Sequence, residues 1–446
     1  MKSGNRIWSG GASDSGGPDL SALMTAEDNK IDSFMLNYEL YGLLAYHIEL
    51  FKKRVIPKED SKEIIQTLRD LLKEKPALKE EFEDIHSFVD TLANERTEAG
   101  KNLRIFLSRN DQSHFDIRSF YLDKLLEIAS LLLENVRVIR ENLAGTKGYM
   151  AGHTHYRQAM PVAFATYFDY VGLVLVDLSQ DSLTLYLKFK EHSPLGYGSG
   201  YGSPLHVDLD KIARKLGFEK AYENPVHGSF YRSADDTEVA FIVARILSAL
   251  SRFAQDLIGF SSGENGFVEF SKGFTTGSSL MPNKKNPDFL EMIQGFASDA
   301  LGKLVTAISI NMNKGTGYHR EFQLSKDETI EMTLTVAKIL EAMKEFFAGI
   351  KIDEIKAHQA IENSTNSTME AYSLFVSGLK WKDAYRTVGT KLRRGEQIGE
   401  YPPDSYIALE DVKLEEIEKT LDSIKAIRED IPRKLTAEAK RILKGS

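Results

Sequence analysis

The sequence predicts an all-α protein: a long central helical bundle with smaller helical regions at both ends. Three observations carry this. Apolar residues recur at helical spacing over runs much longer than an ordinary helix, strand-type alternation is sparse, and 42% hydrophobic with 27% charged residues is a globular balance. A chain of 446 residues also has ample length for a large core.

The first long run passes through Phe115, Phe120, Leu125, Ile128, Leu132 and Val136, and four more follow over 161–192, 235–260, 287–312 and 326–350. Helices of this length bury a stripe against one another rather than packing on a sheet, which places a bundle over residues 108–352. Residues 1–107 read as an N-terminal region of shorter helices broken at Pro57 and Pro76. Residues 353–446 read as a C-terminal helical region ending in a charged tail. Apolar positions around much of the long helices' circumference exceed what one chain can cover, so copies are expected to associate into a homo-oligomer.

A net charge of -8 opposes binding to a polyphosphate, so no nucleic-acid partner is expected. With no cysteine, disulfides, thiolate metal sites and cysteine nucleophiles are excluded. Residues 1–21 are polar and glycine-rich, unlike a secretory signal. The longest apolar stretch, 171–176, falls far short of the roughly 20 residues that cross a bilayer. The expectation is a cytoplasmic protein with no membrane partner.

The most informative segment is Gly277, Ser278, Ser279, Leu280, Met281, Pro282, Asn283, Lys284, Lys285, Asn286 and Pro287. Asn286 suits an N-cap and Pro287 a first helical position, so this loop should end at a helix N-terminus, where free amides attract anions. Lys284 adds positive charge, and glycine and serine permit a loop that closes over substrate. A carboxylate substrate fits such a place. For a generic loop of this composition a solvated connector is the ordinary reading, and the fixed order is what sets this one apart.

That order resembles the fumarase/aspartase superfamily signature Gly-Ser-Ser-x-x-Pro-x-Lys-x-Asn at every defined position. The superfamily's members are long-helix bundles that form tetramers. Within it, the string Ser108, Arg109, Asn110, Asp111, Gln112 is similar to argininosuccinate lyases. So is Glu83, Asp84, Ile85, His86 followed by Ala93, Asn94, Glu95, Arg96, with a longer spacing between the two pieces. Gly152, His153, Thr154, His155 with Gln158 and Pro161 matches the Thr-His motif in that branch's form. Pro194, Leu195, Gly196 with the glycines to Gly202, and Tyr318, Gln323, Lys326, resemble further pieces of the family. The likeness runs from Glu83 to about Leu392. At the amino end Trp8, Ser9, Gly10, Gly11, Ala12 and Leu43, Leu44, Ala45, Tyr46 depart from it, as do Asn224, Pro225, Val226, His227, Gly228.

The resemblance implies reversible β-elimination of argininosuccinate to arginine and fumarate, in arginine biosynthesis, by a cytoplasmic homotetramer with active sites shared between subunits and no cofactor. It implies Ser278, His155, Glu291 and Lys284 as catalytic, and Ser108, Arg109, Asn110, Thr154, Asn286, Tyr318, Gln323, Lys326, Asp84 and His86 as substrate-binding. Removing a proton beside a carboxylate puts two negative charges on one small group, which fixed cations and amide donors must meet. The leaving guanidine nitrogen departs once protonated, which requires a general acid. Ser278 and His155 divide these two roles, and the sequence is compatible with either assignment. Glu291 lies one turn into the helix after the loop, where the family's glutamate orients the histidine.

His153 and His155 invite a metal reading, but no third ligand stands at a suitable spacing and no metal is expected. Taken singly, Asn110 or Lys326 would be an ordinary cap or surface residue, and Met281 and Met292 packing residues. Two other functions stay in view. One is a superfamily lyase for a different succinyl adduct such as adenylosuccinate; the other is a non-catalytic, crystallin-like structural protein on the same fold.

Overall fold

The computed structural model describes residues 31–79, 82–263 and 265–445. The divergent segment Trp8 to Ala12 lies outside them. Three helices open the described chain: α1 (Leu36–Lys53), α2 (Lys58–Glu74), which starts directly after Pro57, and α3 (Ile85–Arg96). Leu43, Leu44, Ala45 and Tyr46 are all buried in α1.

The bundle begins with α4 (Arg109–Asn142). Ser108 caps it, and the Ser108 backbone N–H returns a hydrogen bond to Asp111, a reciprocal box that fixes where the helix starts. A hairpin follows, β1 (Tyr149–Thr154) against β2 (Arg157–Ala163), leading into α5 (Phe164–Glu191). A short parallel pair, β3 (His192–Ser193) with β4 (Lys220–Ala221), flanks α6 (Leu209–Lys215). Helix α7 (Pro225–Ser261) starts ten residues before the apolar pattern does. The Asn224 side chain accepts the N–H groups of Val226 and His227, and Pro225 supplies a preset first helical residue.

Beyond α7 come β5 (Val268–Glu269), then the pair β6 (Thr276–Gly277) and β7 (Lys285–Asn286), which closes the Ser278 loop as a hairpin. The last bundle helices are α8 (Asp288–Asn311) and α9 (Phe322–Ala348), and β8 (Lys351–Ile352) pairs back on β5. Three shorter helices follow, α10 (Glu354–Gln359), α11 (Ser367–Val376) and α12 (Trp381–Arg393). Ala371, Val388 and Ile398 form a small core of their own there. The charged tail is a helix, α13 (Leu414–Lys444). It bonds to the first part of the chain, with Arg428 on Asp123 and Glu438 on both Lys52 and Lys215.

Polar bonds fix the direction of each long helix. Arg118 near the start of α4 meets Asp235 near the start of α7, and Ser325 at the start of α9 meets Asp236, so these three helices run the same way. Asn135 bonds the Leu340 carbonyl at 2.8 Å toward their other ends. Helix α5 runs against them, with Tyr167 on Asp256 and Lys188 on Glu238. So does α8, with Gln294 on Gln255 and Asn311 on the Ser233 carbonyl. The bundle therefore has a head end, where α4, α7 and α9 begin, and a tail end, where α5 and α8 begin. Leu132, Val136, Val243, Leu247, Leu250 and Leu340 fill the interior between them.

Candidate active site

The head end is a buried network of charge. Ser108 caps α4 and Asp111 accepts backbone N–H bonds from Ser108, Gln112, Gly196 and Gly198, which ties the glycine turn to the start of the helix. Gly196 and Gly198 take positive φ, which a side chain would resist. Burial pushes the Asp111 carboxyl up to about 7 against these four donors. Tyr197, in the same turn, donates to the Asn110 carbonyl at 3.2 Å.

Arg109 pairs with Glu83 at 2.9 Å and Asp84 at 3.2 Å, and Glu83 also receives Arg320. Asp84 caps α3 through the Ser87 N–H. Burial acts to raise the Asp84 carboxyl, but His86, Arg109 and the hydrogen bonds from Ser87 together outweigh it and hold the group below its ordinary value. His86 is buried with Nδ1 3.2 Å from Glu39, and Lys326 is buried with Nζ 3.0 Å from Asp32. Tyr318 presents its ring to the Arg232 guanidinium at 5.8 Å. Gln323 lies in the first turn of α9, three residues before Lys326.

Sequence reasoning missed several members of this network. Asp32 meets Lys326, Arg232 bonds Ser113, and Arg118 holds Asp235 through two bonds of 2.7 and 2.9 Å. His114 bridges Tyr197 and the same Asp235. One signal was available. Arg232, Asp235 and Asp236 sit at i, i+3 and i+4 inside an otherwise apolar helix, where unpaired ionisable groups would be too costly to bury.

The tail end holds the remaining predicted residues. Ser278 is exposed in the β6–β7 hairpin, and its Oγ accepts the backbone N–H groups of Leu280 at 3.2 Å and Met281 at 3.0 Å. Two donors aimed at one oxygen stabilise negative charge developing there. Asn286 reaches back across the hairpin to the Gly277 carbonyl, and Lys284 is exposed directly before β7. The helix starts one residue later than expected. Pro287 holds the cap position and its carbonyl accepts the N–H groups of Leu290 and Glu291, so Glu291 lies in the first turn of α8. Thr154 ends β1, and His155 with Tyr156 forms the two-residue turn to β2, with φ of 52° and 56°. That is the turn type matching the twist of the flanking strands, and it carries His155 into solvent at the hairpin tip.

The chain thus brings Ser108, Arg109, Asn110, Asp84, His86, Tyr318, Gln323 and Lys326 to one end, and Thr154, His155, Ser278, Lys284, Asn286 and Glu291 to the other. Helix α8 alone, 24 residues long, spans about 36 Å between them at 1.5 Å per residue.

Among the described residues, no helix is long and apolar enough to cross a membrane. One group of ligand type is drawn together, Glu39, His86 and Asp116, all buried.

A family described as lyase matches residues 21–302. The argininosuccinate lyase of Thermotoga neapolitana is 33% identical over 84% of this chain and 96% of its own length. That of Clostridioides difficile is 30% identical over 90% of each. Among solved structures, an EDDS lyase in complex with formate superposes with a TM-score of 0.79 at 20% identity, covering 96% of this chain and 99% of that one. A class II fumarase from Schistosoma mansoni gives 0.64 at 14%, covering 88% and 90%. The all-α bundle is that of these lyases, and by the matched span and the identity to its curated relatives the chain belongs to the argininosuccinate lyase family of the fumarase/aspartase superfamily.

Proposed function

We propose that the chain catalyses the reversible elimination of fumarate from argininosuccinate, releasing arginine. The observation that carries this is the Ser278 loop, a closed hairpin whose serine oxygen receives two backbone N–H donors and whose end opens directly into α8. A base removes the proton on the carbon beside one succinyl carboxylate, the electron pair forms the fumarate double bond, and the carbon–nitrogen bond breaks. The guanidino nitrogen leaves with a proton from an acid. Ser278 and His155 supply base and acid, Glu291 orients the histidine, and Lys284, Asn286 and the α8 N-terminus meet the charge of the intermediate.

Ser108, Arg109, Asn110, Thr154, Tyr318, Gln323 and Lys326 bind the substrate in this reading. Asp84 braces Arg109, and His86 stands behind them in the interior. Because these groups occupy both ends of one bundle, a complete site takes its head from one copy and its tail from others, and the oligomer we infer is a homotetramer. The exposed apolar residues of α8, Met292, Leu301, Val305 and Ile308, with Met312 directly after it, support such a contact surface. A soluble, cytoplasmic place in arginine biosynthesis follows from the reaction.

The test is the ultraviolet absorbance of fumarate when purified protein meets argininosuccinate, with adenylosuccinate, malate and aspartate in parallel. Activity on argininosuccinate that falls by 10²–10⁴-fold in Ser278→Ala, the usual range for a proton-transfer group, is the expected result. Preference for another compound overturns the substrate, and silence on all four favours a structural role.

A further inference from the structure

Helices α1, α3 and α4 meet at Glu39, His86 and Asp116, whose ligand atoms all lie within 4.8 Å of one another. The three residues are 2%, 4% and 1% exposed. His86 Nδ1 and Glu39 Oε2 are 3.2 Å apart, yet they do not form a hydrogen bond. Among the described residues His86 Nδ1 and both oxygens of Asp116 make no hydrogen bond of good geometry, and the bond open to Asp116, one with Glu39, needs a proton held on one of the two carboxyl groups. Buried polar atoms left in this state are strongly unfavourable, and a carboxylate most of all.

Nearby charges are matched in another way. Asp32 receives Lys326, Asp84 receives Arg109, and Glu83 receives Arg109 and Arg320. Glu39 Oε1 is taken by the Gln112 amide at 2.7 Å, leaving Oε2 directed at His86. Two carboxylates thus share one imidazole. Burial, then Glu39 and Asp32, push the Asp116 carboxyl well above the usual carboxylate range.

We propose that Glu39, His86 and Asp116 bind one divalent transition-metal ion of the zinc or cobalt type, which ties α1, α3 and α4 together. The donor set is one imidazole nitrogen and carboxylate oxygens, which suits such ions, and the absence of thiolate argues against softer ones. A separation of 3.2 Å matches the edge of a tetrahedron with bonds of about 2.0–2.1 Å. One Asp116 oxygen supplies the third protein donor, and a water molecule would complete the tetrahedron. The ion neutralises the two carboxylates and is enclosed on folding, as structural sites are. Its role is to hold the helix starts that carry Asp84 and Arg109, so the readout is binding and stability rather than catalysis.

The test uses the full-length protein, dialysed against a chelator and then titrated with Co²⁺ and Zn²⁺. One equivalent of Co²⁺ per chain with the visible spectrum of a tetrahedral site, and a thermal midpoint raised by excess Zn²⁺, are expected. Asp116→Asn, which keeps the shape and removes the charge, should lose both effects. If Asp116→Asn does not fold, the Co²⁺ spectrum of the unmodified protein still decides. Absence of that spectrum with no Zn²⁺ shift overturns the proposal, as does an equal response in Asp116→Asn. An infrared carboxylic-acid band that persists in excess Zn²⁺ and vanishes in Asp116→Asn also overturns it, because a proton then does what the ion was proposed to do.

Discussion

His114 illustrates how far burial, aided by the Arg118 and Arg232 charges, sets the chemistry of one side chain. Burial lowers its pKa from 6.5 to about 4, although Asp235 beside it works in the opposite direction. Between those values the unfolded chain takes up a proton that the folded chain refuses. This contribution to stability is complete above about 6.5 and is lost as the pH falls toward 4, by on the order of 3 kcal/mol. Asp236, pushed up to about 6 by burial, has the opposite sign: its contribution is present at low pH and is lost as pH rises through 6. Denaturant titrations of wild type and His114→Gln across pH 4 to 7 separate the two. A shallower acid loss in the variant is predicted, and identical slopes would contradict it. None of these partners could be read from the sequence. The loop around Ser278 was legible because its chemistry is local, in eleven consecutive positions. Asp32 with Lys326 and Arg118 with Asp235 are joined only by folding, across 294 and 117 residues.

At the scale of elements, the five long helices were legible because each presents an apolar stripe long enough to read, and their observed bounds move by only a few residues except in α7. Two elements were not legible. The β1–β2 hairpin lacks the glycine that usually marks a two-residue turn, since His155 and Tyr156 both adopt positive φ. The α13 helix carries enough charge to pass for a tail, although Leu414, Leu421, Leu435 and Ile442 are buried along one stripe. The hairpin makes a prediction of its own. Tyr156 is 88% exposed, so removing its side chain loses little contact, while glycine removes a left-handed strain of about 1–2 kcal/mol. Set against the entropy glycine adds to the unfolded chain, Tyr156→Gly should raise unfolding stability by about 1 kcal/mol. A fall in stability on denaturant titration would show that the turn is held by contacts of the tyrosine instead.

For the whole molecule, the division of the proposed site between two ends of one bundle is the fact that most constrains function. Loop and helix chemistry were foreseeable from sequence, but their separation was not, because motif order carries no information about which way each helix points. That direction comes from pairs such as Asn311 with Ser233 and Gln294 with Gln255. If the proposed site is completed between copies, two different defects should rescue each other when they lie at opposite ends. Ser278→Ala and Asn110→Ala should each be inactive in fumarate release from argininosuccinate. The decisive measurement is the same absorbance assay on the two variants unfolded and refolded together in equal amounts. Recovery of a fraction of wild-type activity is predicted, from sites that draw an intact head from one variant and an intact tail from the other. A mixture as silent as its components, with co-refolded wild type active and mixed oligomers present, would contradict the account and place the complete site within a single chain.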